Sequence, residues 1–443
     1  MTRALSLVAF LLAIVPVRAQ SVPPCDRDAC ALTSTLDSPA ASHLFDTTQV
    51  DIETSDTVLY RPDLGAREDI QDADDPPELV VEIGEALRYN YVYRDYREAD
   101  ADELGQLLFD TFRINAAASY GPISVGAEYR FYAGYHMLKT GWVGYQASDE
   151  VLVQVGVHQV PFGITTYASN SWFFQLPYYV GLEDDHDAGL KATYTSGALT
   201  VAGAFYKQAD GPFTGSSLAS ARYSYDVVPS RAGALDYGVA PVEEARSNRE
   251  VNQGNLKATY LLGADGLTAE IGASGQFGGL YNDATEQMGS HWAAAGHANV
   301  TAGPINAKLQ LIRFEHNPEN PDGQDSDFIV FGAYDFPYKV TANGTFYSAA
   351  LNYSVPRPDG ALVSTVNVYN DFSYLDKDPT GYIDSIQNIT GVSVGAGPVF
   401  AYFDLVLAKN HPFSIVGNAF AAALAEGTDE WYTRFNVNLG VYF

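Results

Sequence analysis

Basic side chains recur in this sequence at alternate positions between apolar residues. The set comprises Arg88, Arg94, Arg113, Arg130, Lys191, Lys257, Lys308 and Arg434, and Glu128 and Glu270 occupy the same kind of position. Successive side chains of a strand point to opposite faces, so these charges would share the polar faces of separate strands. Charges that face one another across a narrow aqueous passage orient polar solutes and filter ions. We therefore predict that this set lines a pore and binds solutes; the alternative is a set of solvated or locally paired charges.

A second group of residues combines large aromatic side chains with carboxylates. Pro161 and Gly163 would end a strand, since proline cannot donate to the ladder and glycine relaxes the backbone. The residues that follow include Trp172, Phe173, Phe174, Tyr178, Tyr179, Glu183, Asp184, Asp185 and Asp187. We predict that this segment folds inward and narrows a channel; an outer loop packed against a neighbouring subunit is the alternative.

The same acidic run has the ligand type of a hard-cation site, because Ca²⁺ takes carboxylate oxygens. Its spacing is unlike that of an EF-hand loop. We therefore expect an ordinary solvated acidic loop here and predict no metal site, and we predict no cofactor elsewhere.

Strands must position these residues, because two-residue periodicity runs from residue 79 to the end of the chain. Val153, Val155 and Val157, for example, alternate with Gln154, Gly156 and His158. Short turns such as 120–122 alternate with long polar stretches such as 208–252, as in membrane barrels. This pattern predicts an all-β transmembrane antiparallel up-and-down β-barrel over 79–443, with about 16 strands and at most 18. A soluble β-sandwich or repeat protein is the alternative.

The first 78 residues differ from the rest. A basic start, a short apolar run and small residues near Ala19 predict a signal peptide over 1–19. Residues 20–78 are acidic and contain several prolines, which predicts a flexible periplasmic leader; a plug or a partner-binding segment is the alternative. Cys25 and Cys30 would form a disulfide in an exported protein, against an unpaired or metal-binding role.

The last strand of the predicted barrel has an apolar face made of Phe435, Val437, Leu439, Val441 and Phe443. A terminal strand of this kind resembles the signal by which the barrel assembly machinery recognises outer-membrane proteins for insertion. We therefore expect the cell outer membrane as the location and its lipid as a partner.

The charge balance narrows the function classes further. Asp and Glu total 54 against 25 Lys and Arg, which gives a formal charge of -29. Nucleic-acid binding needs a basic surface and is therefore not expected. The acidity fits either a high-salt habitat or loops that bind divalent cations.

Four short stretches resemble the phosphate-selective porin O/P family. They are residues 155–164 (VGVHQVPFGI), 172–174 (WFF), 187–191 (DAGLK) and 434–443 (RFNVNLGVYF). The resemblance covers residues 79–443. It implies a trimeric barrel of about 16 strands with a loop folded into the channel and an anion preference from rows of Arg and Lys. This chain departs from that basic pattern at Glu82, Glu128 and Glu270.

The combined prediction is an outer-membrane porin, a water-filled channel for passive diffusion of small polar or charged solutes, including anions such as phosphate. An adhesin or structural barrel is one alternative, and long loops that bind a surface without conductance would favour it. A barrel enzyme is the other. It would need a nucleophile, a base and an orienting acid, and none of the histidines lies in such a signature, so we predict no enzymatic activity.

Overall fold

The computed structural model describes residues 77–443 with the exception of 218, 231–244, 265, 359 and 416–421. The predicted signal peptide, Cys25, Cys30 and all but the last two residues of the predicted leader lie outside the described residues.

Nineteen strands are present in the described part of the chain. In chain order they are β1 (Leu79–Arg94), β2 (Gln106–Tyr120), β3 (Ile123–Phe131), β4 (His136–Ser148), β5 (Val151–Gln159), β6 (His186–Ser196), β7 (Leu199–Ala209), β8 (Asp226–Val227), β9 (Asn248–Ala264), β10 (Leu267–Asn282), β11 (Gln287–Ala302), β12 (Ile305–Asn317), β13 (Phe328–Ala333), β14 (Phe336–Thr341), β15 (Asn343–Ser354), β16 (Thr365–Lys377), β17 (Ser385–Ala396), β18 (Val399–Lys409) and β19 (Trp431–Tyr442). Sixteen of them form one closed antiparallel barrel, and β8, β13 and β14 form a separate small sheet. The predicted fold class and the count of 16 barrel strands are confirmed.

The barrel strands alternate as the sequence predicts, with apolar side chains outside and polar ones inside. In β1, Ile83 is 65% exposed on the outside, whereas Arg88 and Asn90 are fully buried inside. The outside of most other barrel strands carries exposed Leu, Val, Phe and Tyr side chains. A closed barrel with an apolar outer band is the way in which strands cross a bilayer, since every backbone group is paired. We therefore place the chain in the outer membrane.

Closure depends on the last strand. β19 pairs with β18 on one side and with β1 on the other, and Tyr89 lies opposite Leu439. The predicted insertion-signal residues face outward on β19, where Phe435, Leu439 and Phe443 are exposed. Their recognition by the assembly machinery stays a prediction.

The two ends of the barrel differ in their connections. Most connections at one end are short turns such as 197–198 and 303–304, and Gly197 and Gly303 supply positive φ angles there. We call this the short-turn end. The opposite, long-loop end carries the connections 160–185, 210–247 and 318–342 among others. Long loops of outer-membrane barrels lie on the extracellular side.

The long loops fold over and into the barrel. β13 pairs with β14 and with β8, and all six residues of β13 are buried. The Phe331 ring lies 5.5 Å from the ring of His316, which faces inward from β12. The small sheet therefore occupies the long-loop mouth of the barrel.

The helical content of the described residues is small and includes α1 (Glu98–Glu103) and a 3-10 helix (Leu176–Val180). Among the residues that the structure describes, no helix has the length and apolar character required to cross a bilayer.

The depth of an outward-facing residue in the bilayer determines how much a charged substitution there lowers the stability of the barrel. Leu405 is exposed in the second half of β18, and Leu199 is exposed as the first residue of β7 at the short-turn end. Arginine on the lipid face costs about 2–4 kcal/mol at the bilayer midplane and about 0–1 kcal/mol near an interface. Leu405→Arg should therefore lower the free energy of unfolding in lipid vesicles far more than Leu199→Arg. If the two variants lost equal free energy of unfolding in denaturant titrations, our assignment of the apolar outer band to the lipid would be contradicted.

Candidate functional site

Residues 160–185 form a loop that we call the inward loop. It leaves β5 after Gln159 and returns to β6 at His186. Nearly all of its residues are buried, and Thr165 is exposed. The sequence predicts that this segment folds into the barrel, and the loop lies there. Its action as a constriction stays a proposal.

Two buried aspartates hold the middle of the inward loop. The backbone N–H groups of Asn170 and Ser171 each donate to one oxygen of Asp371 at 2.7 Å. The backbone N–H groups of Trp172 and Phe173 donate to one oxygen of Asp404 at 3.1 and 3.2 Å. Asp371 lies on β16 and Asp404 on β18. The loop therefore crosses from β5 to the opposite side of the barrel.

Neutral side chains of the wall fix both flanks of the inward loop. The Gly163 N–H donates to the Ser274 hydroxyl at 2.9 Å, and the Leu176 N–H donates to the Ser373 hydroxyl at 3.1 Å. The Gln310 side-chain oxygen accepts from the Ile164 N–H at 2.6 Å. These bonds satisfy backbone groups that have no strand partner, as burial demands.

The aromatic residues predicted for this segment are buried inside the barrel. They are Trp172, Phe173, Phe174, Tyr178 and Tyr179, each at most 2% exposed. Tyr178 and Tyr334 share a hydroxyl hydrogen bond of 2.6 Å, which joins the inward loop to the hairpin of β13 and β14. The aromatic bulk therefore fills the barrel and binds the long loops to one another.

Three of the predicted pore-lining residues are lysines that contact the inward loop or its entry. The ammonium of Lys257 donates to the Thr165 hydroxyl at 2.8 Å, and that of Lys191 donates to the carbonyl oxygen of Gln159 at 2.8 Å. Lys308 reaches the carbonyl oxygen of Ser169 at 3.4 Å. None of the three ammonium groups forms a salt bridge with a carboxylate of the described residues. The ammonium groups therefore lie beside the loop or its entry without a direct ion pair in the described residues.

The predicted arginines form a second group on neighbouring strands, where carboxylates pair with them. Arg88 lies 3.4 Å from Asp110. Glu128 lies 2.5 Å from Arg130 and 3.9 Å from Arg113. Because these charges are partly neutralised, the arginine wall carries less net charge than its composition indicates.

The remaining predicted lining residues lie in different surroundings. The Arg434 guanidinium stacks on the Phe173 ring at 4.7 Å, so it supports the inward loop. Arg94 pairs with Asp100 of α1 at 2.7 Å, at the long-loop end. Glu270 lies 3.6 Å from His297 and is partly exposed.

The acidic run at the end of the inward loop is buried, so our expectation of an ordinary solvated loop is wrong. Glu183, Asp184, Asp185 and Asp187 are each at most 7% exposed. Lys139 contacts Asp184 at 3.3 Å, and Tyr223 donates to Asp184 at 2.6 Å. Burial raises the pKa of Glu183 to about 8. Tyr223, Ser224 and Asp226, which belong to the connection after β7, cover the run, and its local composition does not reveal this contact.

A polar cavity of about 280 Å³ lies between the inward loop and the short-turn end. The inward loop contributes Thr165 and Ser169 to its wall, and the barrel contributes Lys308, Asn352 and Asn367. Amide and ammonium groups offer hydrogen-bond donors to a solute, so the cavity suits polar or anionic species.

Several residues that matter here were missed from the sequence. Asp371, Asp404 and Gln310 hold the inward loop, and Asp226 meets its acidic end. Asp404 lies between Phe403 and Leu405, so its inward position follows from alternation. Its partners lie more than 200 residues away along the chain.

The anchoring aspartates predict a stability difference. Asp371→Asn and Asp404→Asn remove the charge that accepts the loop N–H groups, and hydrogen bonds to charged groups contribute about 1.5–3 kcal/mol. Each variant should lower the free energy of unfolding by about 1–3 kcal/mol and speed chymotrypsin cleavage within the inward loop. Asp376→Asn is the matched control, since Asp376 is exposed on the same strand. Equal behaviour of all three variants would contradict the anchoring role.

Comparison with known proteins gives the fold. No family model matches the sequence, and no curated protein matches it. The in-vitro folded OmpT, an outer membrane protein of Vibrio cholerae, is 12% identical over 82% of this chain and 98% of its own, with a TM-score of 0.51. The anion-selective porin from Comamonas acidovorans is 12% identical over 83% and 100%, with a TM-score of 0.50. The outer membrane channel DcaP of Acinetobacter baumannii is 9% identical over 82% and 97%, also at 0.50. The chain has the barrel fold of outer-membrane channels.

Proposed function

We propose that this protein is an outer-membrane porin that lets small polar or charged solutes diffuse passively, with a preference for anions. The observation that carries the proposal is the inward loop, which crosses a closed barrel beside a polar cavity and is contacted by lysine ammonium groups of the barrel wall. A loop of this kind inside a barrel narrows the passage and brings the solute close to fixed charges.

The three lysines support the anion preference. Lys191, Lys257 and Lys308 lie on β6, β9 and β12, so they approach the inward loop from different parts of the wall. No carboxylate of the described residues lies within salt-bridge distance of the three ammonium groups, so they would supply a positive field where the passage is narrow. The arginine wall adds less, because Asp110 and Glu128 pair with it.

Acidic groups oppose this preference at the long-loop end. Asp185, Asp187, Asp210 and Asp226 lie near that mouth, each at most 7% exposed. These carboxylates lie at the mouth and the lysines lie along the inward loop, so the lysines supply the proposed charge of the narrow section.

The solute class follows from chemistry and resemblance together. A lysine-lined passage suits inorganic anions and carboxylates, and the family resemblance makes phosphate one specific candidate. The Comamonas acidovorans protein with the same fold is described as an anion-selective porin. The homotrimer implied by the resemblance stays a prediction that chemical cross-linking in detergent tests.

The experiment that tests the proposal is a bilayer recording. Purified protein in a planar bilayer under a KCl gradient should conduct, and its zero-current potential should have the sign of anion selectivity. Added phosphate should reduce the chloride current if it binds at the lysines. Cation selectivity would contradict the anion preference. The absence of conductance would contradict the porin itself and favour an adhesin or structural barrel.

Charge removal at the lysines sharpens this test. The triple variant Lys191→Gln, Lys257→Gln and Lys308→Gln should shift the zero-current potential toward cation selectivity, because the positive field in the passage is lost. Lys207→Gln is the matched control, since Lys207 is exposed at the long-loop end of β7 and hydrogen-bonds Asn252. An unchanged zero-current potential in the triple variant would assign ion selectivity to other residues.

A further inference from the structure

Three buried aspartates from two loop regions converge at the long-loop end of the barrel. Asp185 ends the inward loop, Asp187 follows at the start of β6, and Asp226 lies on β8. Each offers one carboxylate oxygen, and the three oxygens lie within 4.8 Å of one another. Their exposed fractions are 7%, 2% and 1%. We call these three residues the acidic cluster.

Each carboxylate of the acidic cluster has an oxygen that the described residues leave unsatisfied. These atoms are Oδ1 of Asp185, Oδ1 of Asp187 and Oδ1 of Asp226, all buried and without a hydrogen-bond donor in the described part of the chain. A buried carboxylate oxygen without a donor or cation is costly. The three residues that carry these atoms are the same three whose carboxylates approach within 4.8 Å, so the cluster suits a bound cation.

The positive charge near the acidic cluster is smaller than the negative charge of its carboxylates. Arg222 contacts Asp226 at 2.9 Å and Asp210 at 3.8 Å, so its one positive charge serves two carboxylates. Glu250 adds a further carboxylate, which accepts from the Val227 N–H at 3.0 Å. In their charged form these neighbouring carboxylates repel one another. A bound cation would relieve that repulsion.

The spacing suits a single oxygen-loving ion. Ca²⁺ binds oxygen ligands at about 2.3–2.6 Å, so two ligands of one ion lie at most about 5 Å apart. The 4.8 Å limit on the cluster oxygens meets this condition. Three carboxylates provide hard, anionic ligands, and the long-loop end faces the extracellular medium, where such ions are available.

We propose that Asp185, Asp187 and Asp226 bind one divalent cation of the Ca²⁺ class, which fastens the end of the inward loop to the connection 210–247. The ion joins residues that lie 41 positions apart in sequence, from Asp185 to Asp226. It thereby holds the loop that contains Asp226 against the inward loop at the long-loop end of the barrel. This site does not depend on the proposed transport function, because its test is read in ion binding and stability.

A neighbouring group of different chemistry provides the competing outcome. Glu250, His291 and His316 also bring one ligand atom each within 4.8 Å of one another. Imidazole nitrogens favour zinc over calcium. A response to Zn²⁺ that is absent with Ca²⁺ would therefore point to the histidines and overturn our proposal.

The test uses full-length protein in detergent, freed of metal with EDTA and then titrated with CaCl₂, MgCl₂ or ZnCl₂. Ca²⁺ should raise the midpoint of thermal unfolding, since a ligand that binds only the folded state stabilises it. Terbium(III) luminescence excited through nearby tyrosines should report binding directly, and Ca²⁺ should displace the terbium.

The double variant Asp185→Asn and Asp187→Asn distinguishes an ion site from a merely buried cluster. The double variant should lower the affinity for Ca²⁺ by more than about tenfold. Loss of a residue that only hydrogen-bonds a metal ligand already lowers metal affinity by about 10–100-fold, and these two residues are proposed as ligands. In EDTA the double variant should unfold at a higher temperature than the natural protein, because charge repulsion is removed. Asp283→Asn is the control, since Asp283 is a half-exposed carboxylate at the same end of the barrel.

Two further results would overturn the site. One is a natural protein that shows neither a Ca²⁺ shift nor terbium luminescence, which would mean that the aspartates are held as neutral acids. The other is a Ca²⁺ shift of equal size in the double variant and in Asp283→Asn, which would place the ion on the surface.

Discussion

Every backbone N–H and C=O group that crosses a bilayer needs a hydrogen-bond partner within the protein, and the rest of this structure depends on that constraint. β1 and β19 meet and close the barrel, so no strand edge is left in the lipid. Closure then sorts the side chains, because alternate residues must face either lipid or lumen. Leu439 faces outward and Arg434 inward on the same strand for this reason.

The inward loop must meet the same constraint without strand neighbours, because its backbone is irregular and buried inside the barrel. Irregular backbone is tolerated there only when the surrounding protein satisfies it. Asp371 and Asp404 provide that satisfaction with charged acceptors, and Gln310 and Ser274 provide it with neutral ones. These acceptors sit at inward positions of the wall, so the alternation that builds the barrel also builds the loop's support. The lysines then add charge to a loop whose position is already set.

Alternation predicted the barrel, its 16 strands and the inward direction of residues such as Arg88 and Arg130, because those features depend on local periodicity. The sequence also predicted that residues 161–187 fold inward, through the proline after β5 and the aromatic residues behind it; the loop ends at Asp185, and His186 and Asp187 belong to β6. Pairings between distant segments were not accessible in this way. Asp404 and Trp172 lie 232 residues apart, and the local sequence around neither residue predicts their contact. The acidic run was wrongly expected in solvent, because its cover comes from Asp226 and Tyr223 in another loop.

The central claim is that the inward loop lies in the conducting path, and Thr165 offers the most direct measurement. Thr165 is exposed on that loop beside Lys257 and borders the polar cavity. A Thr165→Cys variant treated with a bulky thiol-reactive sulfonate during single-channel recording should lose conductance, while the natural protein treated in the same way should not. Complete modification of that cysteine with unchanged conductance would contradict the account.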